Sequence, residues 1–172
     1  MRRPDDPRLA FAAVAAVAPD GTWLVLGTYD AVLIRDRGAG AVEHRRTPAV
    51  WSVAVAPDGS WYATGHRDGP VLLWRGGSAR PLGALAGHDG PVAGIAVDDT
   101  GTWIATAGED RMLRVWARDG RCVAAMRVEL RLTACAWVPP GATLAAAGPG
   151  GTYLFDLLPA ERSVQDPTAA GA

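Results

Sequence analysis

A four-residue turn recurs along this chain and constrains what the chain can fold into. Ala18-Pro19-Asp20-Gly21 returns as Ala56-Pro57-Asp58-Gly59. Weaker copies stand at Asp98-Asp99-Thr100-Gly101 and Val138-Pro139-Pro140-Gly141. The turn glycines, at positions 21, 59, 101 and 141, are therefore 38, 42 and 40 residues apart. Four copies of one unit at this period predict a repeat architecture, in which each copy buries its apolar faces against its neighbours.

Each copy contains short apolar runs separated by Gly, Pro and Asp. In the second copy, one run ends at Val55, the next begins at Trp61 and the third ends at Trp74. Because the runs are short and rich in β-branched and aromatic residues, they predict strands. A looser fourth strand fits between copies, at residues 41–46, 80–86 and 121–128. The sequence therefore predicts an all-β protein, a partial or half β-propeller of about four blades, each a four-stranded antiparallel sheet.

The chain resembles the WD-repeat β-propeller family over about residues 9–158, most fully in the third copy. That copy begins with Gly87-His88, places Asp110 in a tight turn and ends its third strand with Trp116. The resemblance implies that one blade is pinned by a hydrogen-bonded chain of four side chains: His88, Thr106, Asp110 and Trp116. Such a chain gives a buried carboxylate and a buried indole N–H the partners that they need.

The other copies keep only part of this chain. The second copy retains three members: Thr64, Asp68 and Trp74. Its histidine, His44, lies two residues before the matching place. Where the second and third copies have the tryptophan, the first copy has Asp36 and the fourth has Asp156.

The repeats also set the domain boundaries. Residues 1–8 are predicted to be a disordered leader and residues 159–172 a disordered tail. Between them, the four repeats cover about residues 9–46, 47–86, 87–128 and 129–158. The apolar residues after Arg3 could form a signal peptide, but Asp5 and Asp6 interrupt its charged end and residues 14–21 align with 52–59 as a strand and turn. We therefore predict a cytoplasmic protein with no membrane span.

Charge and composition give no sign of a polyanionic partner. The formal net charge is −1, so neither nucleic acid nor an anionic membrane is an expected partner. All 17 basic residues are Arg, and Lys and Asn are absent. With abundant Ala, Gly and Pro, this bias favours a GC-rich, bacterial source. Cys122 and Cys135 are predicted to be buried free thiols.

No catalytic constellation is visible. The four predicted inner strands, which would line a propeller channel, contain neither a carboxylate nor a histidine. The three histidines, His44, His66 and His88, fall at different blade positions, so the sequence offers no obvious source of a three-ligand zinc site. We interpret His66 as an exposed turn residue. The prediction is a non-enzyme without metal or cofactor; a propeller hydrolase is an alternative for which no residues can be named.

The family resemblance implies that protein partners bind the top face, around the mouth of the channel. Carried over by position, the binding residues are Phe11, Tyr29, Trp51, Arg67, Glu109 and Arg131. Aromatic residues and arginine are frequent binding hot spots. The alternative for Phe11 and Trp51 is that they are packing residues. Tryptophans that recur in register are instead predicted to form the scaffold: Trp23, Trp61, Trp74, Trp103 and Trp116.

Four repeats are fewer than the seven or eight blades with which rings of the WD-repeat family usually close. Each end blade would leave an apolar face bare, which favours association. Three arrangements follow: two copies closing into an eight-blade ring, a partner chain supplying the missing blades, or a fragment of a longer signalling protein. We predict a non-catalytic protein-interaction scaffold; the alternative is a sensory or regulatory segment of a bacterial kinase, protease or NTPase.

Overall fold

The computed structural model describes residues 12–138 and 143–157, and every regular element in them is a β-strand. The strands are β1 Val14–Val17, β2 Trp23–Gly27, β3 Ala31–Asp36, β4 Val42–Arg46, β5 Val50–Val55, β6 Trp61–His66, β7 Val71–Arg75, β8 Pro81–Leu85, β9 Val92–Val97, β10 Trp103–Gly108, β11 Met112–Ala117, β12 Cys122–Arg127, β13 Ala134–Val138, β14 Thr143–Gly148 and β15 Gly151–Asp156. Within these two ranges no helix is long and apolar enough to cross a membrane.

The strands form four antiparallel sheets, one after another along the chain. Their orders are β1-β2-β3-β4, β5-β6-β7-β8, β9-β10-β11-β12 and β13-β14-β15. We call these sheets blades 1 to 4. The predicted all-β architecture of antiparallel blades is confirmed, and in the described part of blade 4 three strands are present. Phe11, the predicted leader (1–8) and the predicted tail (159–172) lie outside the described residues.

The recurring turn joins the first two strands in blades 1, 2 and 3. Gly21 and Gly59 have φ angles of 71° and 68°, which suit glycine because it lacks a Cβ. Their N–H groups donate to Ala18 O and Ala56 O at 2.9 Å, closing the turn. Asp58 accepts a hydrogen bond from the backbone N–H of Ser60 at 3.0 Å, as an aspartate in such a turn commonly does. The turn therefore reverses the chain at the same place in blades 1 and 2.

Each blade has two apolar faces because its side chains alternate along every strand. We name the face towards the next blade in the chain the forward face and the opposite one the backward face. In blade 2, Trp61 and Leu73 lie on the forward face, whereas Tyr62 and Trp74 lie on the backward face. Three clusters fill the junctions: Val25 and Ile34 with Tyr62 and Trp74, Trp61 and Leu73 with Ile104 and Trp116, and Ala105 and Val115 with Leu144 and Phe155. The core is thus divided among three junctions.

The third strands of blades 1 and 4 are offset by one residue from those of blades 2 and 3. Tyr62 pairs with Trp74 in blade 2, and at the same places Leu24 pairs with Arg35 in blade 1. In blade 4 the corresponding residue is Phe155. The prediction that Asp36 and Asp156 occupy the tryptophan position is therefore wrong.

The length of one turn explains this offset. In blade 2, Gly65 of the second strand pairs with Val71 of the third, and the five residues 66–70 lie between them along the chain. In blade 1, the corresponding pair is Gly27 with Val32, and only the four residues 28–31 lie between them. Because the connection in blade 1 is one residue shorter, each residue of β3 stands one position away from the place that a count from the turn glycine predicts. Side chains alternate between the two faces of a strand, so this shift places each residue of β3 on the other face.

Four of the five recurring tryptophans are buried, but Trp103 is 37% exposed. Trp23 packs against the Tyr62 ring with centroids 5.6 Å apart, and the Arg118 guanidinium lies 5.6 Å from the Trp61 ring. Over Trp103, no aromatic or guanidinium contact of this kind occurs in the part of the chain that the structure describes. Trp103 is therefore the least buried of the five tryptophans that are predicted to form the scaffold.

Candidate protein-binding face

The predicted binding residues in the described ranges all lie at one end of the blades, which we call the top face. This end carries the turns between second and third strands and the loops between blades. Tyr29, Arg67 and Glu109 lie in three such turns, and Arg131 lies in the loop before β13. The turns are held to the loops because Arg67 N–H donates to Ala49 O at 3.0 Å and Glu109 N–H donates to Pro91 O at 2.9 Å.

Trp51 reaches the surface because of a β-bulge at the start of β5. Val50 pairs with His66 and Ser52 pairs with Gly65, so Trp51 is an extra residue without a partner in the ladder. An extra residue of this kind redirects its side chain. Trp51 is 39% exposed, while the preceding Val50 is 2% exposed and belongs to the core. Trp51 is therefore partly buried and partly open at the surface.

Tyr29 and Trp51 line one cleft on the top face. The cleft has a volume of about 300 Å³, and its remaining lining residues are small or aliphatic: Ala13, Val14, Ala49 and Val50. Tyr29 is 76% exposed. Two large aromatic side chains thus flank an apolar depression, an arrangement suited to holding an apolar or aromatic side chain of a partner.

The inner strands of all four blades line a second cavity, the channel, with a volume of about 420 Å³. Trp51 also belongs to its lining, with small or aliphatic neighbours such as Ala93 and Ile95 and, from blade 4, Thr133 and Cys135. No carboxylate or histidine lines this cavity. Among the described residues, no group of three His, Cys, Asp or Glu side chains could hold a metal ion.

The charged members of the predicted site are less closely gathered. Arg67 and Arg131 are exposed and Glu109 is half-buried. Their side chains do not line the Tyr29–Trp51 cleft or the channel. The structure therefore brings Tyr29 and Trp51 together and leaves Arg67, Glu109 and Arg131 as separate positions on the same end of the blades.

The hydrogen-bonded chain in blade 3 is continuous. Trp116 Nε1–H donates to Thr106 Oγ1 at 2.8 Å, and that hydroxyl lies 2.8 Å from His88 Nε2. The Nδ1 atom of His88 lies 2.9 Å from both carboxylate oxygens of Asp110. These contacts assign the proton of the ring to Nδ1, because the hydroxyl then donates to Nε2 and every group has a partner.

Blade 2 contains a similar chain, but its histidine comes from another position. Trp74 Nε1–H donates to Thr64 Oγ1 at 2.8 Å, and that hydroxyl lies 2.8 Å from Nε2 of His66. His66 Nδ1 lies 2.9 Å from Pro48 O, so a backbone carbonyl takes the place of the carboxylate. His66 is fully buried, and its interpretation as an exposed turn residue is wrong.

Two other residues that the sequence analysis considered for the blade 2 chain, Asp68 and His44, do not belong to it. Asp68 is exposed, and His66 meets Pro48 O where His88 meets Asp110, so the carboxylate of Asp68 does not continue the chain. His44 is exposed on β4. A count from the turn glycines could have found His66, because it occupies the position of Gly108, beside a retained Thr64 and Trp74.

The pKa shifts follow from these contacts. Burial lowers the pKa of His88 and of His66, although the hydrogen bonds to Asp110 and Pro48 O partly oppose it. Burial alone would raise the pKa of Asp110, but hydrogen bonds from His88 and from the N–H groups of Asp89 and Met112 lower it overall. The two histidines are therefore neutral at pH 7 and the aspartate is charged, which matches their structural role.

The two cysteines differ from the prediction in part. Cys135 is half-buried in β13, and burial raises the pKa of its thiol to about 12. Cys122 is exposed on β12, the outer strand of blade 3, so the prediction that it is buried is wrong. Both are free thiols.

Two segments of the chain match a known family of repeats. A model of the WD domain, G-beta repeat, matches residues 41–75 and 79–117. These two segments of the chain are therefore similar to WD40 repeats. The two matched segments comprise β4 to β7 and β8 to β11, which include both hydrogen-bonded chains.

Several relatives are proteins of eukaryotes. The chain is 39% identical over 92 residues to the ribosome biogenesis protein BOP1 homolog of Chlamydomonas reinhardtii, which covers 52% of this chain and 11% of that protein. It is 49% identical over 44 residues to WD repeat-containing protein 46 of Caenorhabditis elegans, covering 26% of this chain and 8% of that protein. The chain therefore spans about a tenth of the length of these relatives.

Solved structures share the WD40 fold at low sequence identity. U3-55K superposes with a TM-score of 0.82 at 19% identity, covering 91% of this chain and 51% of that one. The WD40 repeats of RRP9 superpose with a TM-score of 0.77 at 19% identity, covering 90% and 53%. Blades 1 to 4 thus correspond in fold to about half of each of these chains.

Proposed function

We propose that this protein is a non-catalytic protein-interaction scaffold whose WD40 repeats bind partners on the top face. The observation that carries the proposal is the Tyr29–Trp51 cleft, in which two exposed aromatic side chains border an apolar depression beside the channel mouth. Exposed aromatic residues in such a setting are frequent binding hot spots. Phe11, Arg67, Glu109 and Arg131 would extend the same surface.

The channel supports a binding role over catalysis. Its lining consists of small and apolar side chains, Trp51 and a few hydroxyl and thiol groups. General acid–base catalysis needs a titratable group within hydrogen-bonding distance of the substrate. A channel of this composition offers an apolar surface instead, so we propose that the protein has no enzymatic activity, metal or cofactor of its own.

The relatives give the proposal a context. Proteins with similar segments are named for ribosome biogenesis, so an assembly of several proteins is the kind of setting that we propose for this chain. None of the relatives described above is named as a kinase, protease or NTPase, so they do not favour the regulatory-segment alternative. A bacterial source is a proposal that rests on composition. A cytoplasmic location rests on the sequence of the first residues, and the exclusion of nucleic acid rests on the net charge of −1.

Peptide selection with matched tryptophan variants tests the top face. Peptides would be selected from a random display library on the immobilised chain, and their affinity measured by calorimetry. Trp51→Ala and Tyr29→Ala should each weaken binding at least tenfold, since each removes one wall of the cleft. Trp103→Ala is the control because Trp103 is 37% exposed, close to the 39% of Trp51, but lies at the opposite end of its blade. Equal losses for Trp103→Ala and Trp51→Ala would refute the proposed site.

A further inference from the structure

The forward face of blade 4 repeats the composition of the three forward faces that are covered. In the middle strand, Ala145 and Ala147 stand where blade 3 has Ala105 and Ala107. In the next strand, Leu154 occupies the place of three core residues in blades 1, 2 and 3: Ile34, Leu73 and Val115. A face with this pattern is suited to receive the backward face of another blade.

The exposure of Leu154 shows that this face has no covering blade within the chain's described residues. Leu154 is 69% exposed, whereas Ile34, Leu73 and Val115 are 2%, 7% and 0% exposed. Val138 on the same face is 41% exposed. An apolar position that is buried three times and open once marks a face suited to contact with a further blade.

The backward face of blade 1 is the complementary surface. On this face Ala31 and Leu33 are buried, Leu24 and Leu26 are half-buried and Val17 is 55% exposed. The open part of the face therefore lies around Val17, Leu24 and the half-buried Arg35. Inside the chain, Ile34, Leu73 and Val115 each belong to a junction with an aromatic residue of the next blade: Trp74, Trp116 and Phe155. In blade 1, Arg35 stands at the position of these aromatic residues. A blade 4 docked in the same way would place Leu154 on the aliphatic part of Arg35.

Charge is complementary at this position. Asp156 lies two residues beyond Leu154 on the same face and is exposed. This spacing brings a carboxylate within reach of the long Arg35 side chain, which carries the only formal charge on the backward face of strand β3. An arginine and an aspartate in these places favour a blade 4 and blade 1 pair over two blade 1 faces or two blade 4 faces.

We propose that the forward face of blade 4 docks on the backward face of blade 1 of a second copy, and the reverse, so that two chains close head to tail into a ring of eight blades. A two-fold axis along the channel makes the two junctions identical, and closure prevents further growth. The superposition of this chain on about half of the U3-55K chain agrees with a half-ring. This inference goes beyond the proposed binding role, because it uses the end faces and not the top face.

Light scattering on the purified chain over a dilution series tests the proposal. The expected mass is twice the 17.9 kDa of one chain. Leu154→Arg should give the mass of one chain, because it places a charge in the apolar contact. Leu82→Arg is the control, since Leu82 is 56% exposed on the outer strand β8, away from both end faces, and should keep the dimer. A wild-type mass of one chain at all concentrations, or of larger aggregates, would overturn the proposal.

Mixing two charge variants tests the head-to-tail geometry and guards against misfolding. Arg35→Asp alone and Asp156→Arg alone each place like charges at both junctions and should be monomers. In a mixture, each ring would contain one junction where the two native side chains meet and one where the two substituted side chains meet, again with opposite charges. The dimer mass should therefore return. If the mixture stays monomeric, the proposed contact is wrong. Because no top-face partner takes part, this result is independent of the peptide-binding test.

Discussion

At the scale of single residues, blades 2 and 3 satisfy the same buried tryptophan and threonine with histidines from different positions. In blade 3 the ring of His88 enters from the loop before the blade, and Gly108 leaves room for it. A Cβ on Gly108 would lie 2.5 Å from His88 Nδ1 and would also collide with the Asp110 carboxylate. In blade 2, His66 stands at that position itself and fills the space.

Because Gly108 makes room for His88, substitution by alanine should lower the free energy of unfolding more at Gly108 than at Gly83. Gly108→Ala should lower the free energy of unfolding by about 1–3 kcal/mol, because the added methyl group overpacks the buried ring and displaces His88. Gly83→Ala is the matched control: Gly83 lies in the exposed strand β8 with nothing within 4 Å of an added Cβ. Urea denaturation measures both. A Gly108→Ala chain as stable as Gly83→Ala would show that the site is not tightly filled.

The same histidines predict how stability depends on pH. Because burial lowers the pKa of His66 and His88 in the folded chain, the unfolded chain binds more protons at mildly acidic pH. Their contribution is therefore complete above the ordinary histidine pKa of about 6.5 and declines as the pH falls below it. The melting temperature should drop between pH 7.5 and pH 5.5. His44→Gln, at an exposed position, should leave the drop unchanged; a flat profile would contradict the neutral, buried state of the two rings.

At the scale of elements, the inner strands of neighbouring blades are joined by a side chain as well as by packing. Ser52 in β5 is 7% exposed, and its hydroxyl donates to Val92 O in β9 at 2.7 Å. Gly65 beneath it has no room for a Cβ, because one would collide with Ser52 Oγ. The hydroxyl thus connects blades 2 and 3 at the point where both inner strands begin.

Removing this hydroxyl should weaken the junction measurably. Ser52→Ala is expected to lower the free energy of unfolding by about 1 kcal/mol, since it deletes a buried hydrogen bond and leaves Val92 O without that donor. Ser60→Ala serves as the control, because the Ser60 hydroxyl bonds only to Asp58 in an exposed turn. Guanidinium denaturation compares the two. A loss for Ser60→Ala that equals or exceeds that for Ser52→Ala would refute the role of the link.

Individual elements show what the sequence could predict. The turns and apolar runs predicted the strands and the four blades because glycine at positive φ and period-two alternation are local properties. The places of Arg35 and Phe155 depend on turns that are one residue shorter, which a count from the turn glycine does not reveal. His66 contacts Pro48 O and the Thr64 hydroxyl only in the folded chain. Trp51 is exposed because of a bulge in β5. Such features depend on tertiary contacts.

At the scale of the whole molecule, the core is a row of three junctions, so stability should vary along the chain. Blades 2 and 3 each take part in two of these junctions, whereas blades 1 and 4 each take part in one. In stacked repeats, each unit is stabilised by its nearest neighbours, and units at the ends open first. The second strand of each blade provides a matched set of probes, because it is paired on both sides in all four blades.

Hydrogen–deuterium exchange with mass spectrometry should therefore rank these second strands. Amides of β6 and β10 are expected to exchange most slowly, and those of β2 and β14 faster, at a dilution where the mass is that of one chain. Raising the protein concentration should slow exchange in β2 and β14 selectively, because head-to-tail pairing covers the end blades and leaves the middle junctions unchanged. Equal protection of all four strands at low concentration would mean that the blades open as one cooperative unit. A concentration effect confined to β6 and β10 would place the contact between copies somewhere other than the end faces.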